Sequence, residues 1–260
     1  SLWVWPILLI AIFFIVNFII TNRQATHPIV HFHTLFSKKP FVGATMAISS
    51  HLTLLTGIAG INVYIVRILK LPFDISLHFY FFFFVGVIIT GILKMFFYSS
   101  VGAGFLGTLG SSALLYVSIH WIILGNTINI PLLYIQGLLL GFGASMTLVS
   151  GSMATLLDGD LKEAAQRSQT MHTIRNFSAA MLIPIIAYTI KNHIQKGTQS
   201  IYAENITDKM IYLKKLQDVA IDADHQIFLL MIIFNMVMFV SSIIQMILGK
   251  GRRITPPRES

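Results

Sequence analysis

The chain has 260 residues, of which 55% are hydrophobic and 11% are charged, and it contains no cysteine. Several apolar runs approach or exceed the roughly 20 residues that a helix needs to cross a bilayer, which excludes a soluble domain and predicts an all-α integral membrane protein. The net charge of +8 does not predict a nucleic-acid partner, because the Lys and Arg residues lie in short loops between apolar segments. Without cysteine there are no disulfides, no thiolate metal site and no cysteine nucleophile.

The first segment predicts a linker transmembrane helix over 1–21, with aromatic residues near its start as an interfacial anchor. An amphipathic connection on the cytoplasmic side follows over 22–40. Its residues His31 and His33 have the spacing of a ligand pair, but no Cys or carboxylate lies near them in the sequence, and we predict no metal site. The chain starts without Met and without a basic n-region, so we expect no cleavable signal peptide and further sequence before residue 1.

The second segment, about 41–68, carries a polar stripe on an otherwise apolar helix. His51 and Asn62 are close to three helical turns apart and therefore lie on one face. Such a stripe can line a pathway or seal a contact between helices. Packing is the more frequent explanation, since Gly57 and Gly60 also permit close helix contact.

Three further spans are predicted over about 75–98, 103–124 and 131–157. Small residues at steps of three or four residues give the last two spans faces suited to close packing. These glycine rows are not nucleotide loops, because no strand precedes them. Gln136 is the polar side chain that we select from the third of these spans as a pathway candidate.

The segment over 166–189 carries His172 and Arg175 within a stretch long enough to cross a bilayer. An Arg near the centre of such a helix costs about 2.5–3.5 kcal/mol on insertion scales. The cost is tolerable if the guanidinium extends to the headgroups, or if it faces other helices, a carbonyl cluster or a water-filled cavity. The residues leave both interpretations open. Pro184 predicts a kink in this helix.

A polar region over 191–226 follows, for which we expect a loop with a short amphipathic surface helix. The last span, 227–248, contains Asn235, and a basic tail covers 249–260. The distribution of Lys and Arg between alternate loops places the tail in the cytoplasm and the polar region outside. As these spans are delimited, none has an Asp or Glu in its interior.

Three sequence features resemble the C-terminal part of a major facilitator superfamily transporter of the fourteen-span drug:proton antiporter type (the EmrB/QacA group). The first is AAQRSQTMHTIRNFSAAM, a helix with many small residues around an Arg. The second is a long loop before the last span that ends in DADHQIF. The third is HPIVHFHTLFSKKPF, which looks like the connection from the linker helices into the C-terminal bundle.

The resemblance implies that 1–21 is a linker helix and that 41–248 forms a six-helix C-terminal bundle. It implies alternating access, with a small-molecule substrate near the membrane midplane. The function would be proton-driven export of amphipathic compounds (drugs, siderophores or metabolites) across a bacterial inner membrane. The partners would be the lipid bilayer, the substrate, protons and the N-terminal half of the same transporter; we predict no cofactor.

Six side chains are the candidates for the substrate or proton pathway: His51, Asn62, Gln136, His172, Arg175 and Asn235. With no acid inside the spans, the imidazoles of His51, His172 and His120 are the candidate proton carriers. A membrane-embedded enzyme would need a cluster of catalytic side chains near one interface, which the sequence lacks, and we predict no enzyme. A non-transporting structural or accessory membrane subunit is the alternative function.

Overall fold

The computed structural model describes residues 13–14, 16–18, 20–22, 24–25, 28, 30–158, 160–203 and 208–250, and every regular element in these ranges is helical. The helices are α1 (Phe32–Leu35), α2 (Lys38–Asn62, continued by a π-helical segment, Val63–Ile68), α3 (Phe73–Trp121), α4 (Ile130–Leu157), α5 (Ala164–Ala203) and α6 (Lys209–Ile247). Most of the predicted linker helix and the tail beyond 250 lie outside the described residues.

Side-chain caps fix where two of the long helices begin. The Asn129 side chain accepts a hydrogen bond from the Leu132 backbone N–H at 3.2 Å, and a proline occupies the first turn of α4. Asp208 accepts from the Met210 N–H at 2.8 Å at the start of α6. Both caps satisfy backbone donors that have no partner inside the helix.

Within the described ranges, five helices are long and apolar enough to cross a membrane, namely α2 with its π-helical segment, α3, α4, α5 and α6. The described part of the chain is therefore compatible with the predicted all-α membrane protein. The apolar faces of these helices extend around most of their circumference, as expected where lipid takes the place of water.

Helix α3 is 49 residues long, but it is broken and folds back on itself. Gly102 has φ 81° and ψ 171°, which no helical residue adopts. In an unbroken helix Phe79 and Trp121 would lie about 60 Å apart, whereas their ring centroids are 6.4 Å apart. The break therefore separates two antiparallel arms, 73–101 and 103–121. A side chain at this positive φ would be strained, which explains the glycine.

The main core lies between both arms of α3 and helices α2, α4 and α6. Trp121, the last residue of α3, is fully buried in this core, and its ring centroid is 5.3 Å from that of Phe228 in α6. Tyr64, Leu114 and Leu140 complete the surrounding layer. Helix α5 stays at the edge: 11% of its most apolar window is buried, against 56% for α2.

Glycines bring the first arm of α3 against α4 at backbone distance. A Cβ added at Gly86 would overlap the Leu138 carbonyl oxygen, and one added at Gly141 would overlap the Phe83 carbonyl oxygen. The small-residue faces that the sequence indicates are thus real contact surfaces. By contrast, Gly91 in the same arm has no atom within 4 Å of an added Cβ.

The polar region 191–226 differs from the predicted loop. Helix α5 continues through Pro184 to Ala203, and α6 already begins at Lys209, so that most of the region prolongs these two helices. Gly197 lies against Val219 where the extensions pack together. A mixed-charge sequence is compatible with helix once a partner helix covers one face, which the local composition did not reveal.

Candidate functional site

The two ends of the bundle can be told apart by their contacts. At the first, which we call the tail end, Gly102 approaches the backbone of Lys250, and Gln245 donates to the Asp158 carboxylate at 2.8 Å. At the opposite end, the hairpin end, the loop 122–129 joins the two helices α3 and α4 and contacts α2 and α6.

Three of the predicted residues come together between α2 and α5. The guanidinium of Arg175 lies close enough to the imidazoles of His51 and His172 for its charge to act on both rings. His51 is half-buried near the middle of the apolar stretch of α2, whereas His172 is exposed. The Arg175 Nε atom is buried and has no hydrogen-bond partner among the described residues. This group is the cationic cluster.

Asn62 contacts a different element from the one that His51 faces. Its side-chain oxygen accepts a hydrogen bond from the Tyr80 hydroxyl at 2.8 Å, which joins α2 to the first arm of α3. His51 therefore faces α5 and Asn62 contacts α3, so that the two residues of the predicted stripe have different helices as neighbours. Both residues of the Asn62–Tyr80 pair are partly exposed.

Gln136 and Asn235 lie in the core. The Gln136 side-chain oxygen accepts from Trp121 Nε1 at 2.8 Å, and its Nε2 has no partner in the described structure. Asn235 is fully buried, and its amide donates to the Leu114 carbonyl at 3.1 Å and to the Ser118 hydroxyl at 3.0 Å. These contacts give Asn235 the position of a residue that joins α6 to the second arm of α3.

A cavity of about 370 Å³ lies at the hairpin end between α3 and α4. Gln136 and His120 line it, each with a buried nitrogen that has no hydrogen-bond partner among the described residues. The remaining lining comes from the loop 122–129 and the first turn of α4. His120 lies at the end of the second arm of α3, at the hairpin end. This predicted proton carrier is therefore separated from His51 and His172.

Lys94 lies in the first arm of α3 with its amine turned towards α4. The amine donates to the Ser145 carbonyl at 2.8 Å, near the middle of α4. Thr90, one turn earlier, donates in the same way to the Phe142 carbonyl at 3.0 Å. A carbonyl of α4 therefore accepts a hydrogen bond from the Lys94 amine at the depth of the apolar segments.

Asp224 lies outside the last span as the sequence delimits it, 227–248, but inside the helix that carries this span. The sequence placed it in a polar loop, but it lies inside α6, is 1% exposed, and neither of its carboxyl oxygens has a hydrogen-bond partner in the described structure. As an acidic residue close to an apolar segment, Asp224 could have been selected from the sequence. It was not, because the last span was predicted to begin at 227, whereas α6 begins at Lys209.

Arg167 is the fully buried arginine of the described chain, and the sequence had indicated it only as a loop charge. Its Nε donates to the Thr155 carbonyl at 2.9 Å and one terminal nitrogen donates to the Leu156 carbonyl at 2.8 Å. Glu163 lies 3.7 Å from the other terminal nitrogen. The side chain therefore satisfies the last carbonyls of α4 at the tail end.

His31 and His33 have ring centroids 6.1 Å apart, and within the described residues no group of three or more His, Cys, Asp or Glu side chains forms around them. The connection before α2 instead packs on α5, where the His31 backbone N–H donates to the Thr170 hydroxyl at 3.0 Å.

Comparison with protein-family models found no family that matches this chain, and comparison with curated proteins found no similar protein.

Proposed function

We propose that this chain is the C-terminal half of a proton-coupled major facilitator exporter of amphipathic small molecules. In this proposal residues 38–247 cross the membrane six times, with the two arms of α3 as separate spans, and the tail end faces the cytoplasm of a bacterial cell. Lipid, a small-molecule substrate, protons and an N-terminal half are the partners.

The observation that carries the proposal is the cationic cluster of His51, His172 and Arg175. It lies at mid-height of α2, where hydrocarbon would surround a lipid-facing side chain. Charged groups at such a depth face a bundle interior or a water-filled cavity. The described chain leaves α5 largely uncovered. A second helical bundle on this side would enclose the cluster, and the substrate would then lie between two halves.

The resemblance in sequence supports the same assignment, because the helix that carries Arg175 is one of the three features that resemble the antiporter group. A cation beside two imidazoles also suits proton coupling. Protonation of His51 or His172 places a second positive charge near the fixed charge of Arg175, so that gain or loss of a proton changes the electrostatic free energy of the cluster.

The test is transport by the full-length protein in proteoliposomes, with the fluorescent lipophilic cation ethidium as probe and an imposed pH gradient. We expect Arg175→Gln to lose gradient-driven transport while the protein still inserts. Arg175→Lys should keep part of the rate, because lysine preserves the charge but not the planar guanidinium. Lys191→Gln is the matched control, since it removes an exposed cation from the same helix.

Transport by Arg175→Gln at the wild-type rate would contradict the role of the cluster. If the wild-type protein moves neither ethidium nor a panel of amphipathic compounds under any gradient, the accessory-subunit alternative replaces the transporter.

A further inference from the structure

The buried carboxyl group of Asp224 has no role in the cationic cluster. It lies on the part of α6 that faces the hairpin end, whereas His51 lies near the middle of α2 and Arg175 in the first third of α5. An isolated carboxylate is too costly to hold in an apolar interior, so such a group either takes up a proton or acquires a positive partner. Neither oxygen of Asp224 has any partner in the described structure.

Among the residues that the structure describes, no cation pairs with Asp224. The π-helical end of α2 contributes the Tyr64 phenol, whose hydroxyl donates to the Gly125 carbonyl, and the Arg67 side chain on that segment is exposed. His225, the next residue of α6, donates its Nε2–H to the Leu124 carbonyl at 2.8 Å. From the end of α3, His120 lines the neighbouring cavity.

Helix α5 contributes no partner either. Its titratable residues on this side, His193 and Lys196, line a separate depression together with Asp222. Asp222 is exposed and therefore differs from Asp224 in burial while sharing its helix and its residue type. The two carboxyl groups form a natural pair for comparison.

The loop 122–129 lies at the same end of the bundle as Asp224. Three hydrogen bonds join it to the π-helical end of α2 and to α6: Tyr64 to the Gly125 carbonyl, His225 to the Leu124 carbonyl, and Asn126 Nδ2 to the Asp218 carboxylate at 3.2 Å. Tyr64 lies close enough to Asp224 to feel its charge, and His225 is the next residue of α6.

We infer that Asp224 is a proton-binding site of this protein. The buried carboxyl group holds a proton, and it releases that proton to water as the pH rises. No bond other than O–H is made or broken, and the proton passes between the carboxyl oxygen and water. Its part in driving export rests on the proposed function, but the binding of the proton does not.

The first experiment needs no variant and no substrate. Dicyclohexylcarbodiimide, an apolar reagent that modifies protonated carboxyl groups, is added to the wild-type full chain in lipid nanodiscs at a series of pH values. Mass spectrometry of peptides then compares Asp224 with Asp222 and Asp218. We expect modification at Asp224 above that of Asp222, which is exposed, and of Asp218, which is partly buried, at low pH, and its loss as the pH rises. Modification of Asp224 no greater than that of Asp222 at every pH would overturn the inference.

The second experiment uses infrared difference spectra recorded across a pH jump on purified protein. The wild-type protein should lose a carbonyl band of a protonated carboxyl group, and this band should shift in heavy water. Asp224→Asn should lack the band, whereas Asp222→Asn should keep it. A band that persists in Asp224→Asn assigns the proton to another group and overturns the inference.

The third experiment separates the proton site from the proposed function. In proteoliposomes, Asp224→Asn should lose ethidium transport driven by a pH gradient but keep ethidium exchange in the absence of a gradient. Gradient-driven transport at the wild-type rate would contradict a coupling role for Asp224. If the wild-type protein itself shows no gradient-driven transport, the proposed function fails, while the carbodiimide experiment still decides whether Asp224 binds a proton.

Discussion

At the scale of single residues, some buried polar atoms of the described chain have hydrogen-bond partners and others have none. Arg167 donates two hydrogen bonds to helix carbonyls and joins α5 to α4. Arg175 and Asp224 keep buried polar atoms without partners among the described residues, and so does Asn235, whose amide donates to the Leu114 carbonyl while its Oδ1 has no partner. Because burial without a partner is costly, such groups need an explanation. We therefore assign Arg167 to structure and propose functional roles for Arg175 and Asp224.

We predict that Arg167→Gln lowers the free energy of unfolding by about 2–3 kcal/mol, since two charge-assisted hydrogen bonds to the end of α4 are lost. Arg167→Lys should restore part of the loss, because it keeps the charge without the fork. Thermal unfolding of the purified protein in detergent measures both changes. Lys162→Gln, an exposed cation five residues earlier, is the control. Equal stability of Arg167→Gln and Lys162→Gln would refute the capping role.

At the scale of helices, two backbone contacts place the first arm of α3. Gly86 and Gly141 let the backbones of this arm and α4 meet without side chains between them. Thr90 and Lys94 then donate to carbonyls of α4 along the same interface. Small residues drive helix association in membranes because lipid provides no hydrophobic force between helices.

We expect Gly141→Ala to lower stability by about 1–3 kcal/mol, because the new methyl group would strike the Phe83 carbonyl and a backbone atom cannot rotate aside. Gly91→Ala is the matched control in the partner helix, and it should be neutral or stabilising by up to about 1 kcal/mol, since alanine favours helix. Thermal unfolding and the monodisperse fraction in size-exclusion chromatography report on both variants. Similar stability of the two variants would show that the close contact is not required.

At the scale of the whole molecule, the helices return alternately to the tail end and the hairpin end. Pro40, Gly102, Asp158 and Lys250 belong to the tail end, where the Thr155 hydroxyl donates to the Pro40 carbonyl at 3.4 Å. The extensions of α5 and α6 project beyond the hairpin end. On the positive-inside rule we propose that the tail end faces the cytoplasm.

This orientation predicts different accessibility for two engineered cysteines in a chain that has none of its own. Gln199→Cys lies on the exposed extension of α5, and Lys250→Cys lies at the tail end. On intact cells an impermeant thiol reagent should label the cysteine at 199 and not the one at 250. Both should react after permeabilisation, which controls for reactivity. The reverse pattern on intact cells would invert the orientation.

The sequence by itself determined the membrane class, the helical architecture and the approximate position of most apolar segments, because length and apolarity decide whether a helix can cross a bilayer. It also indicated the glycine faces, whose spacing follows directly from the helical repeat. The position of Arg175 beside an imidazole of another helix was compatible with the sequence, but no pattern within the chain specified that neighbour.

Only the tertiary structure decided the remaining points, because each depends on contacts between residues far apart in the chain. The sequence predicts that Arg167 is a charged residue of a loop. In the fold its guanidinium donates to the carbonyls at the end of α4. The charged sequence around Asp224 predicts solvent exposure, whereas in the fold this residue is 1% exposed within α6. The mixed-charge residues on both sides of 203–209 predict a loop from local hydropathy alone. In the fold they are helical, because the extension of α5 and the extension of α6 pack on each other and stabilise each other.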